Sequence, residues 1–205
     1  MGGELVFQWT KHCVEKYGRE EVEKWYFQVW NEPNLWAFGI GTPKQFLTYL
    51  RAASPVIRAA GAAVIHGGLA AYPDHRVLWL RNYSPTTWLN ELYTAGESGD
   101  YDLFGYHPYS ITAAEKWTDP NDAPYGIDQI ALLDAARKRR GDTRPYAFTE
   151  IGYDTAKVDA VTAARYLSDQ MPAMRERANH NWLFCWRDTT GDGGKYGLVG
   201  ADNTP

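Results

Sequence analysis

Cysteine is scarce in this chain. The two present, Cys13 and Cys185, are too few for a disulfide framework and lack the spacing of a thiolate metal site. Both lie in apolar segments and read as buried thiols. No apolar run approaches the ~20 residues that cross a bilayer, so no membrane partner is expected. Positive charge is also short: 21 Lys and Arg stand against 25 Asp and Glu, a net charge of −4. With no basic stripe, nucleic acid is not an expected partner. The longest basic run, "RKRRG" (137–141), sits at a helix end, where cations complement the dipole. Among the five histidines no pair has ligand spacing, so neither a metal nor another cofactor is expected. No charged n-region and apolar h-region open the chain, so no secretory signal is read and localisation stays open. Repeats, low-complexity stretches and linker composition are absent, which makes residues 1–205 one domain.

Aromatic residues are what the chain has in abundance. They make up 15% of it, with nine Trp and fourteen Tyr. Flat C–H faces of sugar rings stack on such side chains, although a tryptophan-rich core accounts for the same composition.

Periodicity and punctuation give an alternating order. Residues 3–17 read as a helix, with Leu5, Trp9, His12 and Cys13 near helical spacing and Gly18 as its stop. "WYFQVWN" (25–31) reads as a buried strand. Thr42, Pro43 and Gln45 form a capping box opening a helix, in which Pro55 makes a kink and Gly61 an end. "AAVIHGG" (62–68) is a short strand. Ser84 and Pro85 open the next helix, and Gly96 closes it. "YDLFGYHPY" (101–109) is a strand, 127–140 a helix, "RPYAFTE" (144–150) a strand, 158–178 a helix, and "NWLFCW" (181–186) the last strand. Five strands alternating with helices predict an α/β fold with a parallel sheet.

In such sheets function gathers at the carboxyl ends of the strands. Those ends carry Asn31 and Glu32, then His66, then His107 and Tyr109, then Thr149 and Glu150, then Trp186. The strand bodies are mostly apolar, with Gln28 and Asp102 as exceptions. Two glutamates at the ends of separate parallel strands suit glycosidic bond cleavage, which needs one acid at the leaving oxygen and one carboxylate beside the anomeric carbon.

"WYFQVWNEPN" (25–34) together with "FTEIGYD" (148–154) resembles clan A glycoside hydrolases, and most closely glycoside hydrolase family 39, which includes β-xylosidases and α-L-iduronidases. "LFGYHPYS" (103–110) and "YGLVGADNTP" (196–205) look more like family 5-type cellulase-like proteins. The resemblance implies a retaining (β/α)₈ TIM barrel acting on a carbohydrate. Carried over by position, Glu32 is the acid/base and Glu150 the nucleophile. Asn31 binds the sugar 2-hydroxyl, Tyr109 donates to the nucleophile, and His107 lines the site beside the acid/base. Trp186 floors the reacting sugar, and Trp36 extends that platform. As plain packing, His107, Tyr109 and Trp186 have second readings as core residues. "RDTTGDGGKYG" (187–197) reads as a loop at the mouth of the site, with calcium at Asp188 and Asp192 as a lesser reading.

A complete barrel has eight strands in ~250 residues. The resemblance makes the five present strands four to eight, the C-terminal part of a barrel domain. An open sheet with exposed edges and aromatic side chains predicts self-association, hence a homo-oligomer. Three functions follow in order: a retaining hydrolase of β-xylosides, β-glucosides or an exopolysaccharide; a carbohydrate-binding module; a truncated barrel with no sugar role. Relatives are often secreted.

Overall fold

A computed structural model describes residues 2–39, 41–72, 74–77, 80–109, 128–156, 158–178, 180–185, 187–188 and 195–198. Helix α1 (Gly2–Tyr17) ends at Gly18, whose φ is 84°. The side chains it packs inward are Val6, Thr10, Cys13 and Val14. Leu5 and Trp9, expected on the packed stripe, are 68% and 60% exposed. They flank the face that packs on the next long helix, which covers only a narrow stripe of α1. A short helix, α2 (Arg19–Val22), follows and was not foreseen.

Strand β1 (Tyr26–Gln28) is shorter than the predicted 25–31 segment, and it is half-buried, not buried. Among the described residues it has a sheet partner on one side only, which leaves it incompletely covered. A 3₁₀ turn (Trp36–Phe38) leads to α3 (Pro43–Ala59). Its start matches the sequence reading. Thr42 Oγ1 accepts from the Gln45 amide, and the Gln45 side chain accepts from the Thr42 amide. Such a cap stabilises by about 1 kcal/mol.

Strands β2 (Ala63–Ile65) and β3 (Leu69–Ala70) are two parts of one path through the sheet. β2 pairs in parallel with β1. An antiparallel hairpin, β4 (His75–Val77) and β5 (Leu80–Asn82), then leaves the sheet, a feature the sequence reading missed. Helix α4 (Pro85–Thr94) begins at Ser84, whose hydroxyl accepts from the Thr87 amide. Next come β6 (Phe104–His107), α5 (Asp128–Lys138), β7 (Tyr146–Ile151), α6 (Ala160–Arg175) and β8 (His180–Leu183). Parallel pairing runs β3–β6–β7–β8, and bridges Ile65–Leu103 and Asn31–Gly68 join this group to β1 and β2. The result is a parallel sheet of five positions in chain order.

The two faces differ. Val64, Phe104, Tyr106, Tyr146 and Phe148 point outward into one continuous core shared with the helices. The inward side has a separate small cluster of Ile65, Leu103 and Ala147. The sheet curls enough that Tyr26 on β1 meets His180 on β8, with ring centroids 4.4 Å apart. Within the basic run at the end of α5, Lys138, Arg139 and Arg140 are exposed, as expected at a helix end, and Arg137 departs from that expectation. Arg137 is buried, lies 4.4 Å over the Tyr146 ring, and pairs with Asp142. It belongs to an internal ionic network with Arg144 and Glu97, not to a solvated helix end. Cys13 is buried, as expected, whereas Cys185 is half-buried; both are free thiols.

Candidate active site

The turn after β1 is the first builder of the site. Trp30 and Glu32 both adopt left-handed backbone, with φ of 73° and 42°. Non-glycine residues avoid this region, at a cost of order 1–3 kcal/mol each, unless the surroundings hold them there. The surroundings here are specific. The Glu32 amide donates to Gly68 O at 2.9 Å. Pro33 is buried beneath the turn. Asn34 is fully buried: its Nδ2 donates to Ala70 O at 3.0 Å and Tyr83 O at 2.9 Å, and its Oδ1 accepts from the Ala70 amide at 2.9 Å. Asn34 thus ties the Asn-Glu-Pro segment to the end of β3 and to the hairpin. The sequence reading passed over it, although a buried asparagine after such a triplet is the side chain able to serve both backbone donors and acceptors.

The end of β6 supplies the centre. His107 is fully buried, with Nδ1 3.0 Å from Glu32 Oε1 and 3.7 Å from Glu150 Oε2. Its Nε2 lies 2.9 Å from Thr149 Oγ1. Two carboxylates face Nδ1, so that nitrogen carries a proton toward them. Gly68 makes room for the ring: a Cβ added there would overlap the imidazole. Neither Thr149 as an anchor nor Gly68 as a clearance was read from the sequence.

The end of β7 supplies Glu150, whose side chain is 25% exposed against 13% for Glu32. One oxygen of each glutamate and one His107 nitrogen all lie within 4.8 Å of one another. Burial pushes the Glu150 carboxyl above its ordinary range; His107 and the Tyr109 hydrogen bond pull it back, and the Glu32 charge pushes it up again. Tyr109 donates to Glu150 Oε2 at 3.1 Å. Burial and the adjacent Glu150 charge hold that phenol far above its usual value, so it stays a donor. Tyr109 also meets Phe184 and Tyr196 edge-on at 6.4 and 5.7 Å, an aromatic wall absent from the sequence reading.

The remaining candidates divide. Asn31 is half-buried at the same turn, bridged to Gly68 and 3.5 Å from Gln28 Nε2. Trp36 is 54% exposed, its amide donating to Asn82 Oδ1. Trp186 and Asp192 lie outside the described residues. Asp188 Oδ1 accepts from the Gly197 amide. His66 is not brought to the carboxylates. It points into the helix-covered core between Phe46, Tyr101 and Phe104, where burial lowers its pKa to about 4 and keeps it neutral.

Comparison with known proteins follows the same lines. A family profile described as "Glycosyl hydrolases family 39" matches residues 2–114. A β-xylosidase of Caldicellulosiruptor saccharolyticus is 32% identical over 85 residues, 40% of this chain and 17% of its own. A β-xylosidase of Geobacillus stearothermophilus is 36% identical over 72 residues, 31% of this chain and 14% of its own. In fold, a GH39 β-xylosidase from Caulobacter crescentus superposes with a TM-score of 0.65 at 18% identity, over 98% of this chain and 43% of that one. The chain therefore spans less than half the length of each of these relatives, and its fold is that of part of an α/β barrel.

Proposed function

Because the chain belongs to the glycosyl hydrolases of family 39, we propose that its site cleaves O-glycosidic bonds with retention of configuration. Glu150 is the nucleophile and Glu32 the acid/base. The observation that carries this reading is the spacing of the two carboxylates, whose nearest oxygens fall within 4.8 Å. Double displacement uses carboxyl groups ~5–5.5 Å apart, whereas an inverting pair stands ~6.5–9.5 Å apart to admit a water. The charge of nearby His107 and the hydrogen bond from Tyr109 work against the rise that burial imposes on Glu150. His107 also fixes Glu32 beside the leaving oxygen. By the family resemblance Asn31 is assigned to the sugar 2-hydroxyl, Trp186 to the floor under the reacting sugar and Trp36 to the extension of that platform. The substrate class is a β-xyloside, after the β-xylosidases the chain resembles.

Hydrolysis of an aryl β-xyloside, followed by NMR of the first-formed anomer, tests the proposal. Retention is expected. Glu150→Gln should lower kcat by ~10⁴-fold or more, as loss of a covalent nucleophile does in other hydrolases. Glu32→Gln should cost ~10²–10⁴-fold with poor leaving groups and less with good ones. An inverted product, or full activity in Glu150→Gln, overturns the assignment.

A specific observation also favours association. Tyr26, Trp30 and Trp182 are each about two-fifths exposed, at 40%, 38% and 40%, on the first and last strands or just beyond them. We propose that residues 1–205 form one unit, the C-terminal part of a barrel domain, and that two copies cover these surfaces. Light scattering at several concentrations decides this, and a mass fixed at 23.2 kDa rules it out.

A further inference from the structure

We propose that Glu32, His107 and Glu150 also form a three-donor site for a divalent transition ion, with zinc as its probe, and that the ion and a sugar compete for the same carboxylates. One imidazole and two carboxylates suit zinc or copper better than calcium or magnesium, which favour all-oxygen sets. Zinc bonds of ~2.0–2.2 Å in a tetrahedron set ligand atoms ~3.3 Å apart. His107 Nδ1 already stands 3.0 Å from Glu32 Oε1 and 3.7 Å from Glu150 Oε2. The two carboxylate oxygens need only close from a separation within 4.8 Å, and Glu150, which accepts from Tyr109, is the more exposed of the two.

Two further observations support the site. Metal-bound histidines donate their second ring nitrogen to a fixed oxygen, and Thr149 Oγ1 waits 2.9 Å from Nε2. Binding the ion requires His107 to present Nδ1 without its proton and to keep one on Nε2, which then donates to the threonine hydroxyl. Charge points the same way. Among the described residues, His107 is the sole basic side chain paired with either carboxylate, so the anionic pair lacks an arginine or lysine partner. A tetrahedral ion held by these three would keep its fourth position toward the mouth.

The binding does not depend on the hydrolytic reading; the competition does. Calorimetric titration of zinc into the untagged chain, and into Glu32→Gln, Glu150→Gln and Thr149→Val, separates the two. The expected result is one ion per chain, with Thr149→Val weaker by ~10–100-fold and each glutamine variant weaker still. In the hydrolysis assay zinc should raise the apparent KM, and a chelator should reverse this. No binding at millimolar zinc overturns the proposal, as does binding unchanged in both glutamine variants. Zinc binding that responds to the variants in a chain without hydrolysis leaves the ion site standing and sinks the glycosidase reading. Hydrolysis indifferent to bound zinc sinks the competition.

Discussion

The two faces of the sheet are built on different terms. The outer face is dry and aromatic, with Phe104, Tyr106, Tyr146 and Phe148 locked against helices. The inner face has a small apolar cluster, and above it come His107, Thr149 and the two glutamates. Stability therefore resides mainly on one side and chemistry on the other. Burial on the outer face holds the strands in register, and that register delivers charged groups from separate strands to one point. Glu150, whose pKa burial raises, opposes folding while it is ionised.

Paired truncations test this division first. Phe104→Ala, in the outer core, should cost about 3–5 kcal/mol. Leu103→Ala, next to it in sequence but facing inward, should fall near the low end of the leucine range, about 2 kcal/mol. Urea unfolding compares them, and equal losses would end the distinction between the faces. Gly68→Ala comes next. The new methyl group collides with His107, so about 1–3 kcal/mol of destabilisation is expected, along with loss of the Glu32–His107 contact and of aryl xyloside hydrolysis. A stable, active Gly68→Ala would show that the imidazole has slack. The smallest effect has the opposite sign. Burial raises the folded-state pKa of Glu150, so the protein is favoured while this group is protonated in both states, below the unfolded value of ~4.3, and loses that benefit as pH rises through the higher folded value. Glu150→Gln removes the penalty. Its Tm should lie slightly above wild type at pH 7, and the gap should vanish below about pH 4. A lower Tm at pH 7 would mean that His107 and Tyr109 more than offset the burial.

Local chemistry was legible in the sequence. Thr42 and Ser84 cap the helices they were read to cap, and the carboxylates of Glu32 and Glu150 meet as their strand-end positions imply. Features that rest on distant partners were not legible. Asn34 depends on Ala70 and Tyr83, 36 and 49 positions away. Gly68 matters only because His107 swings beneath it. The predicted burial of residues 25–31 failed because an apolar strand looks the same whether or not a neighbour covers it. His66 resembled a site residue because sequence places a strand end without saying which face its last side chain takes.

The contact between Tyr26 and His180 has a consequence for access. These rings come from the first and last strands and meet near the amino ends, well below the carboxylates. Together with Ile65, Leu103 and Ala147, and with the His107 ring nearer the carboxyl ends, they occupy the inner side of the sheet below the carboxylates. On the proposed function, a sugar reaches the glutamates from the carboxyl ends of the strands and not from beneath them.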